Sequence, residues 1–528
     1  MPRRLPTTAG MVQNVSRLQR VHRAGALVAV VGLLASLTAC SASDSSNGTD
    51  TLPEPPPPPP PTVETVVAQC ETWYASVENQ KFDSLELINQ AEAGQLPLAD
   101  DTLIVKFHAT PRLSVSSLLD EPLSTAAIRT LEALPEASYR PLGVDTAHVS
   151  TERDADTWEI ARILNNDPAV RYVEPNLRLS SLSVDYTGDQ WAHTSFGMQE
   201  AWNALSTPPG QGVRVAVIDE AFFVSHEDLA DNVSSDQWDF ADNDNDVTTP
   251  FADGMRHGTH VAGIIGALDN GFGVNGVAPA STLVLAKVFK VFENDKNDAK
   301  TSDLLKAIQW VSGEPTSGSS APQISEPVDV INISLGVRSP QHTSEPAFED
   351  LQSVQEALAI ARSKGILTFA ATGNNGDEPF SASDGVFPPA NGPCTIAVGS
   401  IDDSRYRSAF SQYSDEAYLV DIMAPGGISL DAAEDENVEG LIFSTVAAAG
   451  DTSSYDELAG TSMASPYVAG IAAMIMSENP TWTDEQVLTE LLSNTGWAAE
   501  FNAYEYGFGV ACPDKIMGAD TVCGPAPD

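Results

Sequence analysis

The stretch LAGTSMASPYVAGIAAMIM, residues 458–476, places a Gly-Thr-Ser turn directly before a run of small and apolar residues that predicts a helix. Ser462 therefore lies at the start of that helix. A serine at such a position either caps the helix by accepting a hydrogen bond from a first-turn amide, or serves as a nucleophile, because the same amides and the helix dipole favour negative charge on a reacting group. The second interpretation requires a base, an orienting carboxylate and an oxyanion donor elsewhere in the chain.

Three other polar residues meet that requirement. Asp219 ends the apolar strand VRVAVID, His257 opens the helical segment HGTHVAGIIGAL, and Asn374 follows the strand LTFAA. His257 can take the proton of Ser462 while Asp219 orients the imidazole and stabilises its cation, and the Asn374 amide can donate to an oxyanion. Ordinary explanations exist for each residue taken alone: an aspartate at a strand end is often a turn residue, and His257 with His260 would be a metal pair without an evident third ligand. The four residues together predict an active site.

The pattern after residue 190 predicts the fold. Apolar strands there alternate with helices, which is typical of a mostly parallel sheet covered on both faces, a three-layer, doubly wound α/β fold. In such a fold, functional residues collect at the carboxyl ends of the strands. The predicted strands span residues 213–218, 282–289, 328–333, 366–371 and 395–398, and the predicted helices span residues 261–268, 304–311, 351–363, 464–476 and 484–492.

The first 40 residues are predicted to be a signal peptide. An arginine-rich start precedes the apolar run AGALVAVVGLLASL, which is too short for a comfortable membrane span. The following residues, LTAC, resemble the lipobox of bacterial lipoproteins, in which Cys40 would be lipidated and become the new N-terminus. An ordinary signal peptide with a nearby cysteine is the alternative.

Three further segments follow the signal peptide. Residues 41–97 contain a Ser- and Asp-rich linker, a run of prolines that favours a stiff polyproline II stalk, and a segment without an assignment. Residues 98–182 alternate strand and helix signals, which predicts a small α+β domain. Residues 183–528 contain the predicted α/β domain.

Charge and cysteine content restrict the classes of function. The chain has 528 residues and a formal net charge of −46, which excludes nucleic acid as a partner because phosphates would be repelled. The excess of carboxylates suits a secreted protein. Cys512 and Cys523 flank a short tail loop, and in a secreted protein they are predicted to form a disulfide. Cys394 precedes an apolar strand and is predicted to be a buried thiol, whereas Cys70 has no assignment.

Five segments together resemble the subtilisin family of serine proteases: VAVIDEAFFVSHEDL, HGTHVAGIIGALDNGFGVNGVAPAS, VINISLG, AATGNNG and GTSMASP. The resemblance covers about residues 190–511 and follows the family's chain order of Asp, His and Ser. It implies that Asp219, His257 and Ser462 form a catalytic triad and that Asn374 is the oxyanion donor. It also implies hydrolysis of peptide bonds in extended polypeptides.

The sequence matches the family at one substrate-binding strand and departs from it at two other places. Ser334, Leu335 and Gly336 match a family strand that pairs with the substrate backbone. The family's second, glycine-rich substrate strand is replaced by FENDKNDAKTSD, which leaves the outer subsites open. Glu220 and Ala221 follow the triad aspartate, where the family usually has Thr or Ser and then Gly. The extra carboxylate of Glu220 could perturb the His257–Asp219 couple, but neighbours in a strand usually face opposite ways.

A calcium site is implied by the resemblance. The loop ALDNGFGVNGVAP has the length of the family's high-affinity calcium loop. Matching residue by residue, the ligands would be the side chains of Asp228 and Asn270 and the carbonyls of Leu268, Phe272 and Val274, all hard oxygen donors that suit calcium. A polar loop that only ends a helix is the alternative. The acidic run DNDND is interpreted as a solvated loop.

The unit before the catalytic region resembles the subtilisin propeptide, mainly in DPAVRYVEPN. The resemblance implies that this unit inhibits the active site and is cut there, between Leu182 and Ser183. A small, metal-free domain of another kind is the alternative. Because a self-cleaved sequence reports the preference of the pockets, Leu182 and Leu179 predict apolar primary and outer pockets. Acidic residues downstream of the oxyanion donor, which would instead favour Lys or Arg, are Asp377, Glu378 and Asp384.

The sequence therefore predicts a serine endopeptidase made as a self-processing zymogen, exported from a bacterial cell and anchored by lipid. Its expected partners are polypeptide substrates, its own propeptide and, before processing, a membrane. Cleavage after Leu182 is expected to release the catalytic domain from the lipid on Cys40. Two interpretations of other classes stay open: a binding lipoprotein on an inactive subtilisin fold, and a cell-surface scaffold suggested only by the proline stalk.

Overall fold

The structure is a computed structural model, and the residues that it describes fall within Pro59–Asp528. The signal peptide with Cys40, the proline run, Leu182, Ser183 and Cys523 lie outside the described residues. No helix in the described ranges is both long and apolar enough to cross a membrane. The described ranges are 62–77, 80–93, 98–108, 123–134, 137–151, 156–181, 184–186, 190–248, 256–290, 298–337, 351–375, 385–414, 419–428, 440–447, 453–498 and 501–519.

Helices and strands alternate along most of the described chain. The helices are α1 (Val63–Val77), α2 (Leu85–Glu92), α3 (Thr125–Glu132), α4 (Thr157–Asn166), α5 (Trp191–Ser195), α6 (Met198–Ala204), α7 (His257–Gly266), α8 (Thr301–Val311), α9 (Gln352–Ser363), α10 (Thr461–Glu478), α11 (Asp484–Ser493), α12 (Ala503–Tyr506) and α13 (Pro513–Ile516). The strands are β1 (Leu98–Phe107), β2 (Ala137–Gly143), β3 (Thr146–Thr151), β4 (Val170–Ser181), β5 (Val184–Tyr186), β6 (Arg214–Asp219), β7 (Val233–Asp239), β8 (Thr282–Lys287), β9 (Phe289–Lys290), β10 (Asp298–Lys300), β11 (Val330–Ile333), β12 (Leu335–Gly336), β13 (Leu367–Ala371), β14 (Ile396–Ile401), β15 (Ile422–Pro425), β16 (Ile442–Thr445) and β17 (Tyr455–Ala459).

A seven-stranded parallel sheet forms the centre, in the order β15-β14-β13-β11-β6-β8-β7. Its strands are apolar at consecutive positions because both faces are buried. In β6, Val215 and Val217 pack into one hydrophobic cluster, whereas Ala216 and Ile218 pack into the other. The predicted parallel sheet is confirmed, and the order of its strands places the ends of β6, β11 and β13 side by side.

Helices cover both faces of this sheet. On one face, α8 and α9 contribute Leu304 and Leu358 to a buried cluster. On the other, α7 and α10 contribute Ile265 and Val468, and α10 is buried along nearly its whole length. The three-layer α/β prediction is therefore confirmed.

A second, antiparallel sheet precedes the parallel one in sequence, in the order β2-β3-β1-β4. Helices α3 and α4 cover it, and their Leu131 and Leu164 share a separate hydrophobic cluster with Val105 and Val149 of the strands. Helix α4 begins sharply because the Asp156 carboxylate accepts hydrogen bonds from two amides of its first turn. Beyond this sheet, β4 continues and pairs with β10 and β12.

The segment without a sequence assignment contains two helices, α1 and α2. Helix α1 is joined to the parallel sheet by a disulfide between Cys70 and Cys394, whose Cα atoms lie 4.4 Å apart. The prediction that Cys394 is a buried thiol is wrong: it is buried, but it is oxidised. Cys512 is also disulfide-bonded, and its predicted bond to Cys523 stays a prediction because Cys523 lies outside the described residues.

Close packing of α10 on the loop after α7 leaves no room beside Gly470. A Cβ at that position would lie 2.6 Å from Val277 Cβ. Replacing glycine by alanine at an exposed helix position stabilises a protein by about 1 kcal/mol. Adding a methyl group to a core that is already filled instead destabilises it by about 1–3 kcal/mol. We therefore expect Gly470→Ala to lower the free energy of unfolding, measured in urea, and the double variant with Val277→Ala to be less destabilised than the sum of the single changes. A Gly470→Ala protein as stable as wild type would contradict this packing.

Candidate active site

Four side chains named by the sequence converge at the carboxyl edge of the parallel sheet. Asp219 is the last residue of β6, His257 is the first residue of α7, and Ser462 is the second residue of α10. Asn374 follows β13 by three residues and accepts a hydrogen bond from the residue before Ser462. The side chains of Asp219, His257 and Ser462 are almost completely buried.

A short hydrogen bond joins the histidine to the aspartate. The distance between His257 Nδ1 and Asp219 Oδ1 is 2.6 Å. The carboxylate accepts, so Nδ1 carries a proton and Nε2 is the nitrogen with a free lone pair in the neutral ring. Within the described part of the chain, Nε2 of His257 has no hydrogen-bond partner. The ring can therefore accept a proton at Nε2 in the manner of a general base.

The pKa of His257 results from opposing effects. Burial lowers it, but the charge of Asp219, the hydrogen bond to Asp219 and the charge of Glu220 together raise it above the ordinary histidine value. Glu220 is itself buried, and its backbone amide donates to Asp219 Oδ1 over 2.7 Å. The sequence left open whether Glu220 perturbs this couple. Strand alternation argued against an effect, but β6 ends at Asp219, so alternation does not extend to the next residue.

Ser462 does not cap its helix. Helix α10 begins one residue earlier, after Gly460, and no side-chain cap is formed there. The Ser462 hydroxyl instead donates to the carbonyl oxygen of Ser334 over 3.1 Å, and the Ser334 hydroxyl donates to the Ser462 carbonyl over 2.9 Å. The capping interpretation of Ser462 is therefore wrong. Its hydroxyl instead contacts Ser334, the first residue of the predicted substrate strand.

The amide of Asn374 is fixed from one side. Its Oδ1 accepts from Thr461 N over 2.9 Å and from Thr461 Oγ1 over 2.8 Å. The same Thr461 hydroxyl accepts from Gly373 N over 3.1 Å. Because Oδ1 is occupied by these two donors, the amide is held in one orientation with Nδ2 as its donor. Sequence reasoning missed Thr461, although it stands within the GTS turn that singled out its neighbour.

The N-terminal part of the chain passes through this site. In β4, Ser181 and Ser180 pair antiparallel with Leu335 and Gly336 of β12. The two preceding residues of β4 pair antiparallel with β10. Residues 182–183 lie outside the described residues, and the chain continues as β5, which pairs with β17 immediately before the Ser462 turn. The backbone thus enters along β12 and leaves along β17.

The acidic segment FENDKNDAKTSD, which replaces the family's glycine-rich substrate strand, contains strand β10. Its Ala299 and Lys300 pair with Leu179 and Arg178 of β4. This segment therefore offers a strand for main-chain pairing, although the family's glycine-rich sequence is absent. The acidic residues Asp377, Glu378 and Asp384, which would bear on the primary pocket, lie outside the described residues.

Buried polar contacts attach β4 to α9. Arg171 and Glu356 form an ion pair of 2.9 Å, and both side chains are about 95% buried, with exposures of 4% and 6%. The carboxylate of Glu174 accepts from the hydroxyl and amide of Ser353 in the first turn of α9, where the helix dipole favours a negative charge. Because each buried charge has a partner, the protein avoids the free-energy cost of an unpaired buried charge.

The loop after α7 wraps around one buried carboxylate, Asp228. Its Oδ1 accepts from Asn270 Nδ2 over 2.9 Å, and its Oδ2 accepts from Val274 N over 2.9 Å and from Tyr455 OH over 3.3 Å. These donors are neutral. Burial, opposed in part by these hydrogen bonds, leaves the pKa of Asp228 raised. A bound cation would stabilise the ionised carboxylate and so offset the free-energy cost of burying it.

The donor chemistry of this loop fits calcium. Asn270 and Asp228 lie side by side, and turning the Asn270 amide over would present its oxygen instead of its nitrogen; Leu268 and Phe272 lie on the same loop. Gly273 has a φ of +64°, and a Cβ there would come within 2.6 Å of Asp228 Oδ2, so the loop closes tightly around the carboxylate. No group of three or more His, Cys, Asp or Glu side chains suited to a metal occurs in the described ranges, but the proposed ligand set holds one carboxylate and is not such a group.

The second histidine of the HGTH segment has a structural role. His260 is buried, and its Nε2 lies 2.9 Å from the carbonyl oxygen of Ile442. Burial, with the charge of His257 adding to it, lowers the pKa of His260 to about 3. His260 is therefore neutral at ordinary pH, and the alternative of a metal pair gains no third ligand among the described residues.

Comparison with known proteins agrees with this geometry. A model of the subtilase family matches residues 210–510. Subtilisin E of Bacillus subtilis is 34% identical over 355 residues, which cover 66% of this chain and 75% of that protein. Subtilisin of Bacillus pumilus is 36% identical over 301 residues, which cover 57% of this chain and 89% of that protein.

Solved structures give the same result. A protease of Pseudoalteromonas arctica matches with a TM-score of 0.51 and 30% identity over 63% of this chain and 97% of that chain. The epidermin leader peptide processing serine protease of Staphylococcus aureus matches with a TM-score of 0.58 over 79% of this chain and 99% of that chain, and at 19% identity this likeness shows the fold alone. Since the family model spans more than half of the chain, the protein belongs to the subtilase family and is a serine endopeptidase.

Proposed function

We propose that Asp219, His257 and Ser462 form the catalytic triad that hydrolyses peptide bonds of extended polypeptides. The buried 2.6 Å hydrogen bond between His257 and Asp219 carries this proposal, because it leaves Nε2 as the acceptor. As Ser462 Oγ attacks the scissile carbonyl carbon, its proton passes to Nε2, and Asp219 stabilises the imidazolium. The proton is then given to the leaving amine, and water hydrolyses the acyl enzyme by the same route.

Asn374 is the proposed oxyanion donor. When Oγ adds to the carbonyl carbon, negative charge develops on the former carbonyl oxygen. A donor that is already oriented stabilises this charge without reorganisation. The two hydrogen bonds from Thr461 to Asn374 Oδ1 supply that orientation.

Substrates are proposed to bind as an added strand between β10 and β12, where β4 lies in this structure. Main-chain pairing of this kind accepts many sequences and leaves selectivity to the side-chain pockets. Leu179 and Leu182 stand on the proposed substrate-like segment, which favours apolar pockets. Faster cleavage of peptides ending in Arg than of peptides ending in Leu would favour the acidic alternative.

The chain is proposed to be a zymogen that cuts itself between Leu182 and Ser183. Strand β4 ends just before this bond and pairs with β12, and β5 begins just after it and pairs with β17, the strand that precedes the Ser462 turn. These two pairings support the proposal. Until β4 leaves, it occupies the strand positions that a substrate needs, so the antiparallel sheet acts as an inhibitor. Export of the zymogen with lipid on Cys40 is part of the same proposal and rests on the LTAC resemblance.

Calcium is the proposed structural cofactor. Asp228 and Asn270 would hold it through side-chain oxygens, with carbonyl oxygens from Leu268, Phe272 and Val274. The ion would supply positive charge to a buried carboxylate and would cross-link the loop. It would take no part in the reaction.

Substitution of the nucleophile and of the oxyanion donor tests the triad. Ser462→Ala is expected to abolish peptide hydrolysis and to leave an uncleaved precursor. Asn374→Ala is expected to lower kcat about 100- to 1,000-fold with little change in KM, as loss of one oxyanion donor does. Asn203→Ala, an exposed asparagine, is the matched control and should keep wild-type rates. Normal turnover in the Ser462 variant would remove the proposal.

The pH dependence of the reaction tests the role of Glu220. A general base must be neutral, so the acidic limb of the kcat/KM profile follows the pKa of His257 in the free enzyme. Glu220 raises that pKa, so removing its charge with Glu220→Gln should lower the pKa and move the acidic limb to lower pH. Glu485→Gln, on the exposed side of α11, should leave the profile unchanged. An acidic limb that stays in place or moves to higher pH in Glu220→Gln would refute this assignment.

Chelation tests the calcium site. In the Ser462→Ala background, which prevents autolysis, excess chelator should lower the Tm. Binding to the folded state at about a hundred times the Kd stabilises by about 2.7 kcal/mol. Asp228→Asn should remove the difference between calcium and chelator, whereas Asp231→Asn, an exposed neighbour, should keep it. Identical melting curves of the parent in calcium and in chelator would exclude a stabilising ion.

A further inference from the structure

A disulfide joins parts of the chain that lie on either side of the proposed cleavage. Cys70 is in α1, and Cys394 lies two residues before β14 of the parallel sheet, 324 residues later in sequence. Leu182 and Ser183 fall between them. Each of the two cysteines is 4% exposed, so the bond is shielded from solvent. Hydrolysis of one peptide bond within this closed covalent loop cannot separate its two ends.

Helix α1 packs mainly against the catalytic region. It lies against α9 and α11. Val66 belongs to the same hydrophobic cluster as Leu491 of α11, and Cys70 belongs to the cluster that contains Leu358 of α9. The next helix, α2, instead lies against α4 and β4 and places Ile88 in the core of the antiparallel sheet.

The two attachments of the N-terminal region therefore differ in kind. The antiparallel sheet is held by strand pairing, by the Arg171–Glu356 ion pair, by hydrogen bonds and by apolar packing of Leu142 and Leu177, all of which are reversible. Arg171 also donates from Nη2 to the carbonyl of Val77, the last residue of α1, over 2.7 Å. Helix α1 has apolar packing and, in addition, a covalent bond. Loss of the sheet after cleavage removes the contact of Arg171 and leaves the disulfide in place.

We propose that the mature protease is a two-chain enzyme, in which α1 stays attached to the catalytic domain through the Cys70–Cys394 disulfide. This inference rests on the proposed cleavage, in which water is added across the Leu182–Ser183 peptide bond and the S–S bond is untouched. Removal of the inhibitory sheet then requires a second cut that is C-terminal to α1. Whatever precedes Cys70, including the proline stalk and a lipid on Cys40, is retained, and the expected release of the catalytic domain from the membrane does not occur.

The test compares fragments of the full-length protein with and without reductant. Wild-type protein is allowed to process, its thiols are blocked, and it is denatured. We expect one species without reductant, and with reductant a large chain that begins at Ser183 and a smaller chain that contains α1. Cys70→Ser should yield separated chains without reductant, whereas Cys523→Ser, the control, should behave like wild type. Chains of wild type that separate in denaturant alone would overturn the inference.

A second variant makes this test independent of self-processing. A recognition sequence for a site-specific protease is inserted between Leu182 and Ser183 in the Ser462→Ala background, and the added protease makes the cut. Fragments that remain joined until reductant is added support the tether even if wild type never processes, a result that would reject only the proposed function. Fragments that part without reductant reject the tether whether or not wild type processes.

Fractionation tests the consequence for location. In cells that process the wild-type protein, protease activity should sediment with membranes, and Cys70→Ser should move it at least in large part to the soluble fraction. Wild-type activity that is already soluble after processing would overturn retention at the membrane.

Discussion

The hydrogen bond between His257 and Asp219 is the interaction on which the site depends. It joins the end of β6 to the first residue of α7 over 2.6 Å, and both side chains are buried. Such a close approach requires Gly258 as the next residue, since a Cβ there would lie 2.6 Å from the carbonyl oxygen of Ala221. The glycine of the HGTH segment is therefore a packing requirement of the His257–Asp219 pair.

Inhibition and substrate recognition are proposed to use the same backbone groups. Strand β4 pairs with β10 and with β12, and β5 pairs with β17, the strand that precedes the Ser462 turn. An extended substrate needs those pairings, so it competes with the protein's own N-terminal region. Because main-chain pairing is reversible and the ion pair to α9 is not covalent, the antiparallel sheet is proposed to leave once it has been cut both from the catalytic region and from α1. The disulfide at α1 is the part of the N-terminal region that this cut does not loosen.

Much of the architecture was predictable because buried parallel strands are apolar without interruption and their polar end residues mark one edge. Asp219 and Asn374 were located in this way. The Cys70–Cys394 bond was not, because four cysteines allow three pairings and sequence spacing does not choose among them. Strand β10 was missed because Ala299 and its polar neighbours become a strand only through pairing with β4 and β9. The effect of Glu220 could not be decided from the sequence, because β6 ends at Asp219 and strand alternation gives no guide to the next residue.

Labelling with a fluorophosphonate tests most directly that Ser462 is the nucleophile activated by His257 and Asp219. The probe forms a phosphonyl ester with an activated serine hydroxyl and releases fluoride. For processed wild-type enzyme, we expect one stable adduct, located by peptide mapping on Ser462, and strong loss of labelling in His257→Ala. Labelling of another serine, or an unlabelled Ser462 in enzyme that hydrolyses peptides, would contradict the proposed mechanism.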